Sequence, residues 1–300
     1  MPRSRVACAL CSRCWLGLLL LLAPLIGHGA ADEDLDNGLF FRVQAAGGAA
    51  PSWLFGTIHS EDARVVDLPE PVKQGLARSS ALAMEVVPDA DALAKSVAAM
   101  RYDDGRSLVD VLSAELYAES LTALAERGLP EAAARSFKPW AVMLLLSMPE
   151  PKTGQFLDMR LYQLAIAAGM RVIGLETIDE QLAVFEQLSH ADQTALLSQT
   201  LAVRARLPDL FDALIDAYIA RDLTALMGLG NSYLQGADPS QRARFEHLLL
   251  HARNQRMADR VRPLIEHGGC FIAVGALHLP GPGGLLERLR AAGFEVERLY

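Results

Sequence analysis

One phrase occurs twice in this sequence, as WLFGTIH at residues 53–59 and as FIAVGALH at residues 271–278. In each copy an apolar run typical of a buried strand leads into Gly-x-x-His. The glycine permits a close backbone approach, and the histidine follows at the rim of a sheet, where sites are commonly built. With 23 Gly and 7 His in 300 residues, about 0.5 such matches are expected by chance, so the matching context of the two copies is what makes them informative.

The context of the two copies predicts a degenerate internal repeat. After each histidine the sequence predicts a Pro-containing loop, a helix at residues 71–79 or 284–292, and a second apolar strand at residues 81–87 or 294–300. We therefore predict an α/β fold with a central mixed sheet built from two strand-Gly-x-x-His-helix-strand halves that bring both histidines together.

Strand signals are few and helical periodicity is extensive. Further strands are predicted at residues 39–44, forming a hairpin with residues 53–58, and at residues 171–175. Long helical patterns cover residues 108–127, 156–168 and 207–218. One domain is expected over residues 32–300, with helical insertions at about 88–170 and 178–265.

A further helix has clear start and stop signals. Asp238-Pro239-Ser240-Gln241 supplies an N-cap, a Pro at the first helical position and a Gln at the third, and Pro263 with Gly268-Gly269 is expected to end the helix. Its last turns carry Arg253 and Asn254, which the short connection to the second phrase would place beside His278.

The first 31 residues have the features of an export signal. Three Arg precede an apolar segment at residues 15–26, and small residues follow at Gly29-Ala30-Ala31. We expect cleavage near Ala31 and a periplasmic or secreted protein without a further membrane span; an uncleaved anchor is the alternative. Cys8, Cys11 and Cys14 would leave with the signal, which leaves Cys270 as a buried small apolar residue.

The net charge of the chain indicates which classes of partner it can bind. Removing residues 1–31 takes away three Arg and no acid, which makes the formal net charge −11 rather than −8. A nucleic-acid partner is not expected for such an acidic chain. A peptide or small-molecule substrate is expected instead.

His59 and His278 are the leading candidates for chemistry. Two imidazoles and a carboxylate form a common divalent-metal set, and Glu85, in the apolar run at residues 81–87, is the nearest carboxylate in the repeat. The alternative is that Glu85 pairs with an Arg and the histidines donate to backbone carbonyls. Glu176 also follows an apolar run, and a helix cap near Thr177 would explain it equally well.

Other polar groups have simpler interpretations. His247 and His251 have the i,i+4 spacing of a metal pair but lack the Glu that follows the first His in zinc proteases, so a solvated helix face is favoured. His190 and His267 have the same interpretation. The loop at residues 279–284 is interpreted as a stiff turn that fixes His278, with anion binding as the alternative.

These motifs together resemble the TraB/GumN family, which is related to the Tiki metalloproteases and more remotely to erythromycin-esterase and ChaN-like proteins. The resemblance covers residues 39–300. It is carried by LFGTIH at 54–59, the run with Glu85, GLET at 174–177 with Glu180-Gln181, Arg253-Asn254 with Met257, and VGALHLPG at 274–281.

The resemblance implies a metalloprotease-like site. Its residues would be His59, His278 and Glu85, with Arg253 and Asn254 adjacent to them. We therefore expect an exported metal-dependent hydrolase, a peptidase, in which the two histidines bind a divalent ion such as Mn²⁺, Co²⁺ or Zn²⁺ and Glu85 is a ligand or the general base. Arg253 or Asn254 would steady an oxyanion, and Glu176 is a further acidic candidate. A binding or regulatory protein that keeps the pocket without turnover is one alternative. A metal-free esterase-like site, in which a Glu and a His act as base and acid, is another.

Overall fold

A six-stranded sheet forms the centre of the computed structural model, which describes residues 37–233 and 238–300. The predicted α/β class and all six predicted strand positions are confirmed. The strands are β1 (Phe40–Gln44), β2 (Ser52–Thr57), β3 (Ala81–Met84), β4 (Arg171–Gly174), β5 (Cys270–Gly275) and β6 (Glu295–Arg298).

The sheet is mixed, with the order β4-β3-β5-β2-β1-β6. β4, β3, β5 and β2 run parallel, and β1 pairs antiparallel with both β2 and β6. β2, β3 and β5 are buried along their whole length, which explains their continuous apolar sequences. The predicted hairpin of β1 and β2 is confirmed.

The two halves of the repeat are not equivalent in the sheet. β3 packs next to β5, whereas β6 lies at the far edge beside β1. The reason is the hairpin, because β1 occupies the free edge of β2 and β6 can pair only beyond it. The two strands that lead into Gly-x-x-His are nevertheless direct neighbours, in the register Thr57 opposite Gly275.

Helices surround this sheet and fill the two expected insertions. They are α1 (Ala63–Val66), α2 (Glu70–Ala77), α3 (Ala90–Ala99), α4 (Leu108–Val111), α5 (Ala114–Glu126), α6 (Glu131–Ala134), α7 (Pro139–Ser147), α8 (Leu157–Ala167), α9 (Ile178–Glu186), α10 (His190–Val203), α11 (Leu207–Ala220), α12 (Leu223–Tyr233), α13 (Pro239–Glu246), α14 (Ala252–His267) and α15 (Leu285–Ala291).

Two helix predictions need correction. The single helix predicted over residues 108–127 is two helices, because Ser113 leaves the helical conformation and caps α5 by accepting the N–H of Leu116. The helix that begins after Asp238 continues through a π-helical turn (His247–His251) and past Pro263. Burial of Val261 and Ile265 on the core offsets the hydrogen bond that Pro263 removes, and the helix ends at Gly268 with φ +83°.

Glycine permits one close contact that positions both histidine loops. A Cβ at Gly56 would come 2.6 Å from Leu279 Cδ1 and 3.2 Å from Ala276 Cα. The segment after β5 therefore lies directly on the end of β2, as the glycine of the motif predicts.

The proposed signal segment, with its three cysteines, lies outside the described residues. Within residues 37–233 and 238–300, no helix has the length and apolar character needed to cross a bilayer. Cys270 is buried, and burial raises the pKa of its thiol to about 11, which confirms its interpretation as a small apolar residue.

Candidate functional site

The carboxyl ends of β2, β5 and β3 meet at one edge of the sheet. Thr57 lies opposite Gly275, and Met84 lies opposite Ala273, so the chains that follow these strands start side by side. His59, His278 and Glu85 belong to those three segments. Glu85 follows β3 rather than lying inside the strand as predicted, because the strand pairing ends at Met84. The carboxylate of Glu85 accepts the backbone N–H of Gly275 at 2.6 Å.

His278 is completely buried, in a 3₁₀ turn (Ala276–His278) after β5. Its Nδ1 lies 2.5 Å from Asn254 Oδ1, and Nε2 lies 3.8 Å from Glu85 Oε1. Burial, aided by the charge of Arg253, holds the pKa of His278 well below its usual range. The imidazole is therefore neutral, Nδ1–H donates to Asn254, and the lone pair lies on Nε2, which has no hydrogen-bond partner among the described residues.

The carboxyl group of Glu85 is buried and has a raised pKa. Oε2 accepts from Arg253 Nη2 at 2.6 Å and from Gln181 Nε2 at 3.2 Å, while Oε1 accepts from Gly275. Burial raises the pKa of Glu85 to about 7, against the opposing effects of Arg253 and Gly275. A carboxyl group with this pKa exchanges protons near neutrality, which suits a general acid or base.

Arg253 joins two buried carboxylates. It is 1% exposed, and its Nε and Nη2 both donate to Glu176 Oε2, at 2.8 and 2.6 Å. Arg256 Nη1 binds the other oxygen of Glu176 at 2.6 Å. The helix-cap interpretation of Glu176 is wrong, because Thr177 caps α9. Nη1 of Arg253 is buried without a hydrogen-bond partner in the described part of the chain.

Asn254 holds His278 in place through both ends of its amide. Oδ1 faces His278, and Nδ2 donates to the carbonyl of Gly283 at 3.0 Å. These two contacts arrange the amide to position the imidazole. Of the two residues expected to steady an oxyanion, Arg253 has a buried nitrogen, Nη1, with no hydrogen-bond partner among the described residues, and Asn254 Nδ2 uses one of its two N–H groups.

The loop at residues 279–284 is fixed by its own contacts. The Gly283 carbonyl accepts from Asn254 and Arg288, its N–H donates to Glu287, and Gly284 N–H donates to Gly281. These bonds support its interpretation as a stiff turn behind His278.

His59 is buried at the same edge of the sheet, with 7% of its surface exposed. Its Nδ1 is 3.4 Å from Asp158 Oδ2, and Asp158 Oδ1 accepts from Thr57 Oγ1 at 2.7 Å. The ring stacks on Phe156 with centroids 3.9 Å apart. His59 also lines a cavity of about 510 Å³.

Sequence reasoning missed Asp158 and Phe156. Both lie at the start of α8, inside a helical insertion whose amphipathic pattern gives no signal for a site. Their one visible feature is an acid in the first turn of a helix, which stabilises a helix wherever it occurs.

The structure brings the predicted residues together in two groups. Glu85, Glu176, Arg253, Asn254 and His278 form one network, and His59 forms the other with Asp158. Within residues 37–233 and 238–300, no hydrogen bond or ion pair joins His59 to Glu85 or His278, and no three His, Cys, Asp or Glu groups cluster as a metal site. The shared ion therefore stays a prediction.

The donor chemistry of the two histidines fits a metal. Each Nδ1 faces an oxygen that fixes the ring, Asp158 in one case and Asn254 in the other, which leaves Nε2 for a ligand. Metal-binding histidines are commonly oriented in this way. The unpartnered, buried Nε2 of His278 is the clearest vacant donor.

His247 and His251 lie in the π-helical turn with their rings 6.2 Å apart. His247 is exposed and His251 half-buried, and burial, with the neighbouring His247, lowers the pKa of His251. Exposed His190 contacts Arg106, and His267 is exposed at the end of α14. These positions agree with the interpretation of solvated helix faces.

Sequence comparison places this arrangement in a known group. The profile of the TraB/PrgY/gumN family matches residues 39–298, which include every residue of the site. The chain belongs to this family. No solved structure gives a significant match.

Among similar curated proteins are Metalloprotease TIKI1 of Danio rerio, 28% identical over 82% of this chain, and Metalloprotease TIKI2 of the same organism, 27% identical over 87%. Metalloprotease TIKI1 of Homo sapiens is 26% identical over 82%. The matches span 60%, 61% and 59% of these relatives, so the chain corresponds to about three fifths of their length.

Proposed function

We propose that this protein is a metal-dependent peptidase whose centre lies at the shared edge of β2, β5 and β3. The observation that carries the proposal is the buried, unpartnered Nε2 of His278, 3.8 Å from a carboxyl group with a pKa of about 7. The similarity to proteins named metalloproteases supports the same class of reaction.

In this proposal Nε2 of His278 and Nε2 of His59 hold the ion, with Glu85 as a third ligand or as the base. A divalent ion held there supplies Lewis-acid chemistry at a peptide carbonyl. Asn254 and Asp158 keep the two imidazoles in the ligand tautomer.

The remaining residues would manage charge and protons. Glu85 takes or gives a proton at Oε1, because its pKa lies near neutrality. Arg253 limits how far that pKa rises, and its unused Nη1 is the group that could donate to an oxyanion. Glu176 and Arg256 hold Arg253 in position.

The test is cleavage of a peptide library by the full chain, followed by mass spectrometry, with Mn²⁺, Co²⁺ or Zn²⁺ and again with a chelator. Metal-dependent cleavage that disappears in Glu85→Gln is expected, with His251→Ala as the matched control that keeps activity. Peptides bound but never cleaved under any metal would contradict the proposal and favour a binding protein.

A metal-free hydrolase is the second candidate. It is favoured by the position of His278 Nε2, which lies 3.8 Å from Glu85 Oε1, because a base and an acid that act on one substrate must lie near each other. Hydrolysis of peptides or esters that persists in the chelator, and is lost in both Glu85→Gln and His278→Gln, would establish it in place of the metalloenzyme.

We also propose that the chain is exported to the periplasm or secreted, on the strength of its basic start, apolar segment and Gly29-Ala30-Ala31. Expression in a Gram-negative host should give a periplasmic protein that begins near Asp32. N-terminal sequencing that finds Met1 or Pro2 on the folded protein would contradict cleavage.

A further inference from the structure

The cavity beside His59 is large, and although polar and charged residues contribute to its walls, most of the surface that it exposes is apolar. At about 510 Å³ it lies within the range of roughly 300–1,000 Å³ that is usual for ligand pockets. His59 and Phe156 form a stacked pair on its lining, and α11 contributes Leu207, Phe211 and Ile215. A ligand in this cavity would therefore contact the histidine and an apolar surface at the same time.

Most charged groups on the lining are already engaged by the protein itself. The guanidinium of Arg127 donates to the carbonyls of Leu145, Leu146 and Met148. Arg204 pairs with Glu126 at 2.6 Å, and Asp62 pairs with Arg64 at 2.8 Å. These charges hold the walls together and are not arranged around a charged ligand.

Glu61 has the same structural role at the rim. Its carboxylate accepts the backbone N–H groups of Lys152, Thr153 and Gly154, at 2.8, 2.8 and 2.6 Å. The segment before Phe156 is thereby tied to the loop that carries His59. Glu150, Lys152 and Asp212 are the other charged residues of the lining, and the apolar side chains supply most of the surface that a ligand would contact.

We propose that this cavity binds a large apolar side chain of a peptide substrate, next to the bond that is cleaved. This inference rests on the proposed function, because it takes the peptide chain to pass His59. A side chain of this kind removes apolar surface of Phe211 and Ile215 from water, and a buried Phe or Leu strengthens binding by roughly 10- to 100-fold over Ala.

The probes are blocked peptides of Ala and Gly that carry a single Phe, moved through every position, beside the parent peptide without Phe. Cleavage is measured as kcat/KM on the full chain. Binding is measured separately, by calorimetry on His278→Ala, which would block turnover without touching the cavity lining. We expect one Phe position to improve both kcat/KM and Kd by about 10- to 100-fold.

Ile215→Asp tests the site, because Ile215 is only partly buried and a carboxylate there opposes an apolar ligand. Ile215→Asp should abolish the preference for Phe, and Ile215→Leu, which keeps an apolar side chain, should keep that preference. Ile166→Asp is the matched control, since Ile166 is 54% exposed on α8 and does not line the cavity. Circular dichroism shows whether each variant is folded.

The outcomes separate this inference from the proposed function. A Phe preference in binding that Ile215→Asp removes and Ile166→Asp keeps supports the inference even if no peptide is cleaved. Cleavage without preference for Phe at any position overturns the inference while the peptidase stands. Failure of every Phe peptide to bind better than its parent also overturns it.

Discussion

The two Gly-x-x-His copies place their histidines in different surroundings. At the end of β2, His59 borders a cavity and faces the carboxylate of Asp158. At the end of β5, His278 has no exposed surface and faces the amide of Asn254. The motif therefore fixes the position of each histidine on the backbone, while the helical insertions decide what each one contacts. His278 belongs to a fully buried network of hydrogen bonds and ion pairs, and His59 is the histidine that borders the cavity.

The largest effect is expected from the buried network around His278, and it should appear in the free energy of unfolding. Arg253→Met leaves Glu85 and Glu176 without their shared cation in a buried site, so the free energy of unfolding should fall by about 3–5 kcal/mol. Arg256→Met is the matched control, because Arg256 is 31% exposed and should cost about 1 kcal/mol or less. Urea unfolding of both variants measures the difference. Equal losses would show that the buried network is not the stabilising element.

The partners of the two Nδ1 atoms should differ in their effect on metal affinity. Asn254→Ala removes a buried contact of 2.5 Å, and Asp158→Asn weakens a longer one of 3.4 Å beside the cavity. Such partners contribute about 10- to 100-fold, so we expect Asn254→Ala near the upper value and Asp158→Asn near the lower. Competition with a chelating dye gives both dissociation constants. A larger loss of metal affinity in Asp158→Asn than in Asn254→Ala would contradict this expectation.

The smallest effect should be a pH dependence in the local stability of the segment at residues 152–154, which Glu61 binds near His59. Burial alone would raise the pKa of Glu61, but the N–H donors of residues 152–154 outweigh it and lower that pKa. A lowered folded pKa means that this stabilisation is present above the unfolded value of 4.5 and is lost as the pH falls through the folded pKa.

Hydrogen exchange at residues 152–154 measures this loss directly. After correction for the intrinsic exchange rate, protection should decline below about pH 4.5, by a contribution of about 1 kcal/mol. Glu61→Gln should lower protection at neutral pH, whereas Glu119→Gln, an exposed carboxylate on α5, should not. Protection in wild type that does not change between pH 3 and 7 would contradict the role of Glu61.

The sheet could be predicted from the sequence because its strands are short apolar runs, a pattern that is typical of buried strands. The arrival of Gly56 and Gly275 at one edge followed from the repeated motif. Arg253 and Asn254 were predicted near His278, and Asn254 does contact it, although the two residues lie in the first turn of α14 and not in the last turns as predicted. Each of these inferences depends on neighbours in sequence or on a short loop.

What could not be predicted depends on contacts between distant segments. Asp158 reaches His59 from an insertion 99 residues away, and nothing in its local pattern distinguishes it from an acid that stabilises a helix. The π-helical turn before Arg253 and the continuation of α14 past Pro263 arise from packing against the core, which overrides the local stop signal. The pairing of Glu85 with Arg253 likewise joins residues 168 positions apart.

The most direct test of the central claim is the metal content of four proteins dialysed against equal Mn²⁺, Co²⁺ and Zn²⁺: wild type, His59→Ala, His278→Ala and His251→Ala. If the two Gly-x-x-His histidines hold one ion together, wild type and His251→Ala should bind about one ion per chain. His59→Ala and His278→Ala should each lose about 90% of it or more while remaining folded, as expected when a ligand is removed. Full metal content in either His59→Ala or His278→Ala, or its loss in His251→Ala, would contradict a shared site.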